Sequence, residues 1–295
     1  MTTPQIQPGS PEWLRIITPS KIAAILGKSR FESPYRLWHR MAGNLPPDPP
    51  NDRFTAGHAM EHALAYIYKQ EHPEWQLSPG EVQIHGDTDA LGFRALATVD
   101  RRASRGRYRR VVEFKTARSL EDWGDQFTDE VPLDYYLQVQ AQQLITGWTQ
   151  HPAHLMVMGP FFQWHTYEIP HDPQVAEKIV EAARAWQASL DAGTPPPLDD
   201  TTATYYAVRD LHPDIEDRDV ELDPATAHAY LSAADALDEA KRAEREAKTR
   251  LLDQMGKAAK AHAAGAQVAT RYQHGQSVRL RRNRNALKQM QETAA

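Results

Sequence analysis

Two strand-like runs decide the fold: LGFRALATVD at residues 91–100 and VVEFKT at residues 111–116. Alternate side chains of a strand share a face, so Glu113 and Lys115 point to the same side of the second run. If the two runs pair through the Arg-rich segment between them, Asp100, which ends the first run, lies beside Glu113. Two carboxylates that converge at a buried sheet edge repel each other, and a bound divalent cation compensates this repulsion best. The adjacent lysine is suited to orient or deprotonate a water molecule, or to balance phosphate charge.

The pattern on either side of these runs predicts an α+β fold. Helical patterns come first, followed by three strand-like runs, a helix, a strand pair and another helix, an order that gives a central mixed sheet flanked by helices. The GTPPP stretch that begins at Gly193 breaks regular structure, so we expect a core domain over residues 1–195 and a C-terminal extension over residues 196–295. The extension is predicted to contain a long helix, 224–262, and to end in a basic hairpin, 266–284.

Charge is unevenly distributed along the chain. The 295 residues carry 34 Lys and Arg against 39 Asp and Glu, a net charge of −5 that by itself speaks against a nucleic-acid ligand. Residues 101–110 nevertheless contain six arginines and no acid, and residues 266–295 contain six basic side chains and one glutamate. Basic patches on an acidic body are what contact with a phosphate backbone needs, and a solvated loop is the alternative for each patch.

The composition excludes several kinds of site. The chain has no cysteine, which removes disulfides, thiol nucleophiles, Cys-ligated zinc and iron–sulfur clusters, and which fits a reducing compartment. No run approaches the ~18 apolar residues of a membrane helix, and the N-terminus lacks the apolar core of a signal peptide. We therefore expect a cytoplasmic protein that has no membrane partner.

Glu61 is a further acidic candidate. It lies on the helical run of residues 53–70, at the edge of the apolar face that Leu64 and Tyr68 share. A carboxylate at the edge of an apolar face needs a compensating cation, and a nearby lysine is the alternative to a metal ion.

A glutamine-rich helix is predicted over residues 134–146. Gln140 falls inside its apolar stripe, which is unusual for an amide side chain. With Tyr135, the glutamines offer neutral hydrogen-bond donors for a phosphate or a metal-bound water. Ordinary surface positions remain the alternative for Gln142 and Gln143.

A rival motif overlaps Glu61. His58-Ala-Met-Glu61-His62 reads H-x-x-E-H, a zinc-peptidase signature in which two histidines on one helix face bind zinc and the glutamate acts as base. This interpretation leaves Asp100 and Glu113 without a role and requires a further acidic ligand. A zinc metallopeptidase stays open as an alternative.

Four motifs together resemble the YqaJ-like viral recombinase family, which includes phage lambda exonuclease and belongs to the PD-(D/E)xK nuclease superfamily. They are Gly57-x-x-x-Glu61, ATVD ending at Asp100, VVEFKT from Val111, and YYLQVQAQ from Tyr135. The opening segment RIITPSKIAAILGKSRFESPYRLW is also similar to the N-terminal region of that family. The resemblance covers about residues 13–169, and its motifs occur in the family's order and spacing.

The resemblance implies a restriction-endonuclease-like core that binds Mg²⁺ or Mn²⁺, with two ions per site. The implied metal ligands are Asp100, Glu113, the backbone carbonyl of Phe114 and, through water, Glu61. Lys115 would activate the attacking water, and Gln140, with Gln138 nearby, would organise the site. The implied DNA and 5′-phosphate contacts are Ser20, Arg15, Gln138 and Tyr135.

The resemblance also implies an activity and partners. Members of the family hydrolyse phosphodiester bonds of linear double-stranded DNA from the 5′ end, which leaves 5′-phosphomonoesters and exposes single strands for phage-type recombination. The implied partners are double-stranded DNA ends, a single-strand annealing protein of the same phage system and two further copies in a trimer. The expected origin is a phage or prophage in a bacterial host. A DNA-binding recombination protein that has the fold without catalysis is the remaining alternative.

Overall fold

The computed structural model describes residues 5–49 and 52–294, and the chain divides into two compact units, Met1–Ile215 and Glu216–Ala295. The helices of the first unit are α1 (Pro11–Leu14), α2 (Pro19–Ile25), α3 (Pro34–Met41), α4 (Asp52–Glu71), α5 (Thr88–Leu91), α6 (Leu133–Thr146), α7 (Pro173–Asp191) and α8 (Thr202–Leu211). Its strands are β1 (Gln76–Leu77), β2 (Val82–His85), β3 (Leu96–Val99), β4 (Arg101–Arg105), β5 (Tyr108–Thr116), β6 (Ala153–Met158) and β7 (Trp164–Ile169).

A mixed five-stranded sheet with the order β1-β4-β5-β6-β7 forms the centre of the first unit. The β5–β6 pair is parallel and the other pairs are antiparallel. Helix α6 provides the crossover from β5 to β6, as a parallel pair requires. β2 and β3 form a separate antiparallel pair. The predicted α+β fold with a central mixed sheet flanked by helices is therefore confirmed.

Helices cover both faces of this sheet. On one face, Leu64 and Tyr68 of α4 pack with Val112 and Phe114 of β5. On the other face, Val139 of α6 belongs to the cluster that contains Val111 of β5 and alternate residues of β6 and β7. A third cluster joins α2, α3, α6 and α7. The pleat of β5 thus directs neighbouring side chains into different layers, which places Glu113 and Lys115 on the side opposite Phe114.

Local sequence signals account for several helix boundaries. Proline occupies the first turn of α3 and α7, where a missing N–H costs nothing. The preceding Ser33 and Asp172 accept hydrogen bonds from backbone N–H groups of the first turn. α6 ends at Gly147, whose φ of 69° is the left-handed conformation that glycine adopts readily.

The run expected as one strand over residues 91–100 is divided in the structure. Leu91 ends the short helix α5, only residues 96–99 form β3, and the chain then turns into β4. β3 pairs with β2, whereas β4 pairs with β5, so Asp100 is the corner residue at which the chain passes from one sheet to the other. This corner brings Asp100 to the edge of β5.

The Arg-rich segment of residues 101–110 is a β-hairpin, and part of it is structural. Arg101 and Arg110 are buried. The Arg110 guanidinium stacks on Trp75 at 4.4 Å, and that of Arg105 lies 4.8 Å from the same ring. Only the turn and part of each strand are left to contact a phosphate backbone.

The boundary between the units differs from the one expected at residue 195. Helix α8 lies beyond the proline-rich stretch but belongs to the first unit. It buries Thr204, whose hydroxyl donates to Ser33 Oγ at 2.8 Å. The proline-rich stretch is therefore a connection inside the first unit, because α8 returns to α3 and the unit ends at Ile215.

The second unit consists of a long helix, a small sheet and a short terminal helix. These are α9 (Pro224–Met255), the antiparallel strands β8 (Lys260–Ala263), β9 (Ala266–His274) and β10 (Ser277–Arg282), and α10 (Ala286–Ala294). The expected helix over residues 224–262 ends at Met255, because Gly256 takes a positive φ and residues 260–263 pair with β9 instead. The hairpin formed by β9 and β10 is followed by α10, so it does not end the chain.

In the described part of the chain, no helix combines the length and the apolar composition that a bilayer crossing requires.

Candidate active site

At the edge of β5, Asp100 provides the hydrogen-bond acceptor that a neighbouring strand would otherwise provide. The β4–β5 pairing starts at Arg101 and Val112, so β5 continues beyond β4. There the Phe114 N–H donates to Asp100 Oδ2 at 2.7 Å. Because the N–H and C=O of one strand residue point to the same side, the Phe114 carbonyl faces the edge at which Asp100 lies.

Glu113 is the centre of the site. Its side chain is buried, and three donors converge on its carboxylate. Lys115 Nζ and Gln138 Nε2 each donate to Oε1 at 2.5 Å, and Gln142 Nε2 donates to Oε2 at 2.7 Å. A buried carboxylate with this many donors is fixed in orientation, and its charge is compensated by the lysine.

The carboxylates and the lysine perturb one another. Burial and the charge of Glu113 raise the pKa of Asp100 well above its usual range. Burial acts to lower the pKa of Lys115, but the charges of Glu113 and Asp100 outweigh it, and the pKa of Lys115 is raised. Lys115 therefore holds its proton in this arrangement, so it balances negative charge and donates hydrogen bonds.

Glu61 faces the same cleft from α4. Burial, together with the charge of Glu113, raises the pKa of Glu61, while His58 acts in the opposite direction. His58 Nδ1 lies 3.7 Å from Glu61 Oε1, and the histidine side chain is 77% exposed. The charge of the Asp100–Glu113 centre thus acts on Glu61, although α4 packs on the other face of the sheet.

The cleft has a volume of about 730 Å³ and opens at the C-terminal end of β5. Its lining includes Arg30, Phe31, Gly57, His58, Glu61, Leu64, Phe114, Lys115, Thr116, Arg118, Trp123 and Tyr135. Arg30 donates to both oxygens of the buried Asp134, at 3.0 and 2.9 Å, and its guanidinium lies 5.2 Å from the Tyr135 ring. A fixed guanidinium, an exposed Arg118 and Lys115 give this cleft three cations that suit a phosphate.

The structure brings together Asp100, Glu113, Lys115, Gln138 and Tyr135, but it does not bring Gln140 to them. Gln140 Nε2 donates to the Pro170 carbonyl at 2.7 Å, and its Oε1 accepts from the Asp172 N–H at 3.0 Å. Gln140 therefore fixes the loop before α7. Gln142 contacts Glu113 in its place. The sequence left a surface position as the alternative for Gln142, but the structure buries this side chain fully. Gln138 and Gln142 are one helical turn apart, so they share a face of α6.

The two residues predicted to hold a 5′-phosphate lie outside the cleft lining. Arg15 is the C-terminal cap of α1, and Ser20 lies in the first turn of α2. Both side chains are exposed, and the Ser20 hydroxyl shares a hydrogen bond with Thr18 at 3.2 Å. Arg30 and Arg118 are the cationic side chains that line the cleft with Lys115.

The donor set of this centre fits a divalent cation. Asp100, Glu113 and the Phe114 carbonyl are oxygen ligands, and Mg²⁺ is commonly held by one or two carboxylates with water completing its shell. A cation would also counter the burial and the repulsion from Glu113, which together raise the pKa of Asp100. Over residues 5–49 and 52–294, no three His, Asp or Glu side chains converge closely enough to hold a metal by themselves.

The H-x-x-E-H motif does not form a zinc site in the described part of the chain. Zinc in a peptidase needs three protein ligands. His58 and His62 are exposed on α4, and no third ligand joins them among the described residues.

Comparison with known proteins finds a family match for part of this chain. Residues 12–149 match the YqaJ-like viral recombinase domain. The uncharacterized protein YqaJ of Bacillus subtilis (strain 168) is 25% identical over 215 residues, which cover 70% of this chain and 64% of that protein. The chain thus spans less than two thirds of the length of this relative.

Two solved structures are also similar. An alkaline exonuclease, LHK-Exo, from Laribacter hongkongensis shares 18% identity over 66% of this chain and 93% of its own, with a TM-score of 0.45. LHK-Exo in complex with dAMP shares 16% identity over 62% of this chain and 91% of its own, with a TM-score of 0.43. The family resemblance of the sequence motifs is confirmed for residues 12–149, which match the model of the YqaJ-like viral recombinase domain.

Proposed function

We propose that this chain is a metal-dependent DNA exonuclease that hydrolyses phosphodiester bonds. The observation that carries the proposal is the contact of Lys115 with Glu113 at 2.5 Å beside Asp100, next to a cleft that Lys115, Arg30 and Arg118 line. Two carboxylates, a backbone carbonyl and a lysine at one sheet edge are the groups that metal-assisted phosphodiester hydrolysis uses. The recombinase-domain match over residues 12–149 supports a DNA substrate.

The residues of the site take distinct roles in this proposal. Asp100, Glu113 and the Phe114 carbonyl would hold Mg²⁺ or Mn²⁺, with Glu61 adding a ligand through water. When bound, two such ions supply a polarised water and stabilise charge on the leaving oxygen. Lys115 donates to a phosphate oxygen or orients the water. Gln138 and Gln142 position Glu113 from α6.

The finer features of the proposal come from the family resemblance. They are 5′-to-3′ degradation of one strand of linear duplex DNA, a 5′-phosphomonoester product, and delivery of the exposed strand to an annealing protein in phage-type recombination. A trimer and a cytoplasmic place of action belong to the same set. The two-ion count rests on the same resemblance.

The test is incubation of linear, 5′-phosphorylated duplex DNA with the full chain and Mg²⁺. We expect loss of one strand from its 5′ end and release of 5′-mononucleotides. Lys115→Ala is expected to lose about 100-fold or more in rate, since charge-stabilising groups at reacting phosphates contribute on that order. The matched control is Lys178→Ala, which removes an exposed lysine of α7 and leaves the rate unchanged.

Three other outcomes would contradict parts of the proposal. Equal rates of DNA hydrolysis for wild type and Lys115→Ala would show that this site takes no part in the reaction. DNA binding without turnover in Mg²⁺ or Mn²⁺ would favour the non-catalytic recombination protein. Cleavage of a peptide with zinc that is lost on His58→Ala would favour the metallopeptidase.

A further inference from the structure

The second unit contains a groove between its long helix and its β-hairpin, with a volume of about 880 Å³. We call it the C-terminal groove and define it by Lys248, Leu251, Tyr272, Leu280, Arg281 and Arg282. Its helical wall is one face of α9, because Glu244, Lys248 and Leu251 are spaced by three or four residues. The volume lies within the ~300–1,000 Å³ that is usual for ligand sites.

Apolar and basic groups are separated within this groove. Leu251 and Leu280 are half-buried and form an apolar floor with the neighbouring Val268 and Ala247. Tyr272 is 39% exposed, and the Arg281 guanidinium lies 5.8 Å from its ring. In the register of β9 and β10, Tyr272 and Arg281 lie on one face of the hairpin, and Leu280 and Arg282 lie on the other. The phenol ring beside Arg281 is a surface on which a planar base can stack.

The basic residues in and beside the groove differ in how they are used. Arg271, outside the groove, donates to the Gly256 carbonyl and ties β9 to the end of α9. Lys248 is paired with Glu244 at 2.9 Å. Arg281 and Arg282 are exposed and form no ion pair with the described residues. These two arginines are therefore available to a phosphate backbone.

The charge of this part of the chain fits an anionic polymer. Residues 256–295 contain eight Lys and Arg and one acidic residue, Glu292, a net charge of 8 − 1 = +7. The one acidic side chain of the groove lining, Glu244, has its pKa lowered by the hydrogen bond and charge of Lys248, with a smaller effect of Arg282. Glu244 thus stays ionised and paired, so it does not cancel the charge of the arginines.

We propose that the C-terminal groove binds single-stranded DNA. Duplex DNA presents phosphates but keeps its bases stacked inside, so it would leave the apolar floor and Tyr272 without a partner. A single strand offers both phosphates to Arg281 and Arg282 and an open base to Tyr272. This inference rests on the proposed exonuclease function, which produces a single strand, and it adds a second nucleic-acid site to the molecule.

The test measures binding without turnover. A fluorescent oligothymidine is titrated with the full chain in EDTA, and its anisotropy is followed at several salt concentrations. For Arg281→Gln with Arg282→Gln we expect about tenfold weaker binding and a salt slope reduced by about 1.4, since each phosphate contact on a single strand contributes ~0.7. For Tyr272→Ala we expect about tenfold weaker binding with the salt slope unchanged, because stacking releases no counterions.

A matched control carries Arg242→Gln with Arg245→Gln, which removes two exposed arginines of α9 outside the groove lining. An equal loss of affinity in this control overturns the proposal, as does tighter binding of the wild type to a blunt duplex of the same length than to the single strand. Circular dichroism of each variant establishes that it is folded, and Tyr272→Ala tests the groove even where the double variant does not fold. Absence of nuclease activity in Mg²⁺ would defeat the proposed function but would leave this binding result standing.

Discussion

Gln138 and Gln142 hold Glu113 from α6, and their contribution can be measured. They donate to opposite oxygens of the carboxylate at 2.5 and 2.7 Å. A hydrogen bond to a charged group contributes about 1.5–3 kcal/mol. We therefore expect Gln142→Ala to lower the single-turnover rate of DNA cleavage about 10- to 100-fold, since ~1.4 kcal/mol corresponds to a factor of ten.

Gln140→Ala is the matched control for that prediction. Gln140 is another buried glutamine of the same helix, but it is bonded to Pro170 and Asp172. We expect this variant to unfold at lower urea concentration, because it leaves a carbonyl and an N–H without partners, and to retain the cleavage rate. A rate loss as large as that of Gln142→Ala would instead support the role that the family resemblance assigns to Gln140.

Strand periodicity predicts part of the candidate site at the residue scale. Alternation places Glu113 and Lys115 on one side of β5, as the structure has them. The expected pairing of the two runs does not form, and Asp100 instead reaches β5 at the corner between β3 and β4. The glutamines could not be assigned in the same way. Residues 139–143 are all buried, so the apolar stripe of α6 does not indicate which face meets Glu113. Only the position of the sheet distinguishes Gln142 from Gln140.

At the scale of elements, Lys21 joins two helices and makes stability depend on pH. Its ammonium donates to the carbonyls of Trp13, Leu14 and Ile16 at 2.8, 2.9 and 2.6 Å. Burial, with a smaller effect of Arg40, lowers the pKa of Lys21 to about 7. An unfolded lysine has a pKa of about 10.4, so the unfolded chain binds this proton more tightly than the folded chain does.

The free energy of unfolding should therefore rise with pH between about 7 and 10 and be insensitive to Lys21 below that range. The steepest slope from one such group is about 1.4 kcal/mol per pH unit. Urea unfolding of wild type and Lys21→Met at several pH values measures the difference. In Lys21→Met, the free energy of unfolding should rise less steeply with pH, by up to about 1.4 kcal/mol per pH unit. Parallel curves for the two proteins would show that the Lys21 pKa is close to that of an unfolded lysine.

The Arg-rich hairpin of β4 and β5 divides into structural and exposed arginines. Arg110 is 8% exposed, stacks on Trp75 and contacts His154. We expect Arg110→Met to lower the free energy of unfolding by about 2–3 kcal/mol, because it removes a buried charged donor from a buried acceptor. Urea unfolding measures the change.

Arg107→Gln is the comparison for Arg110→Met, since Arg107 lies in the exposed turn of the same hairpin. We expect its stability to change by less than about 0.5 kcal/mol. A flattened salt dependence of DNA binding in Arg107→Gln would identify the turn as a phosphate contact. A large loss of stability here would mean that the turn, too, is structural.

Element types were more predictable than their ends. Helical and strand periodicities indicated α4, α6 and β5, because each has a long patterned run. The split at Asp100 was not predictable, since residues 95–99 are mostly apolar and continuous with the run before them. The corner depends on which strand each half pairs with. The end of α9 at Met255 also depends on pairing, because residues 260–263 join β9.

At the scale of the whole molecule, the two units differ in how much core they contain. The first has three hydrophobic clusters around its sheet. In the described part of the second, the buried apolar side chains are Met255, Ala266, Ala269 and Ala286. Small cores stabilise weakly, so the second unit should unfold at lower urea concentration than the first. The boundary between the units differs from the one expected at residue 195, because a proline-rich stretch marks a break in regular structure and does not mark where packing between elements ends.

The chain contains its own probes for a two-step unfolding. All seven tryptophans lie between Trp13 and Trp186, within the first unit, whereas the 32-residue helix α9 belongs to the second. We expect the far-UV circular dichroism to lose helical signal at a urea concentration at which tryptophan fluorescence is still native. Coincident transitions by the two probes would mean that the units unfold as one. A chain ending at Ile215 provides the control, because all seven tryptophans and the three hydrophobic clusters lie before that residue. Its fluorescence midpoint should equal that of the full chain, and its early dichroism step should vanish.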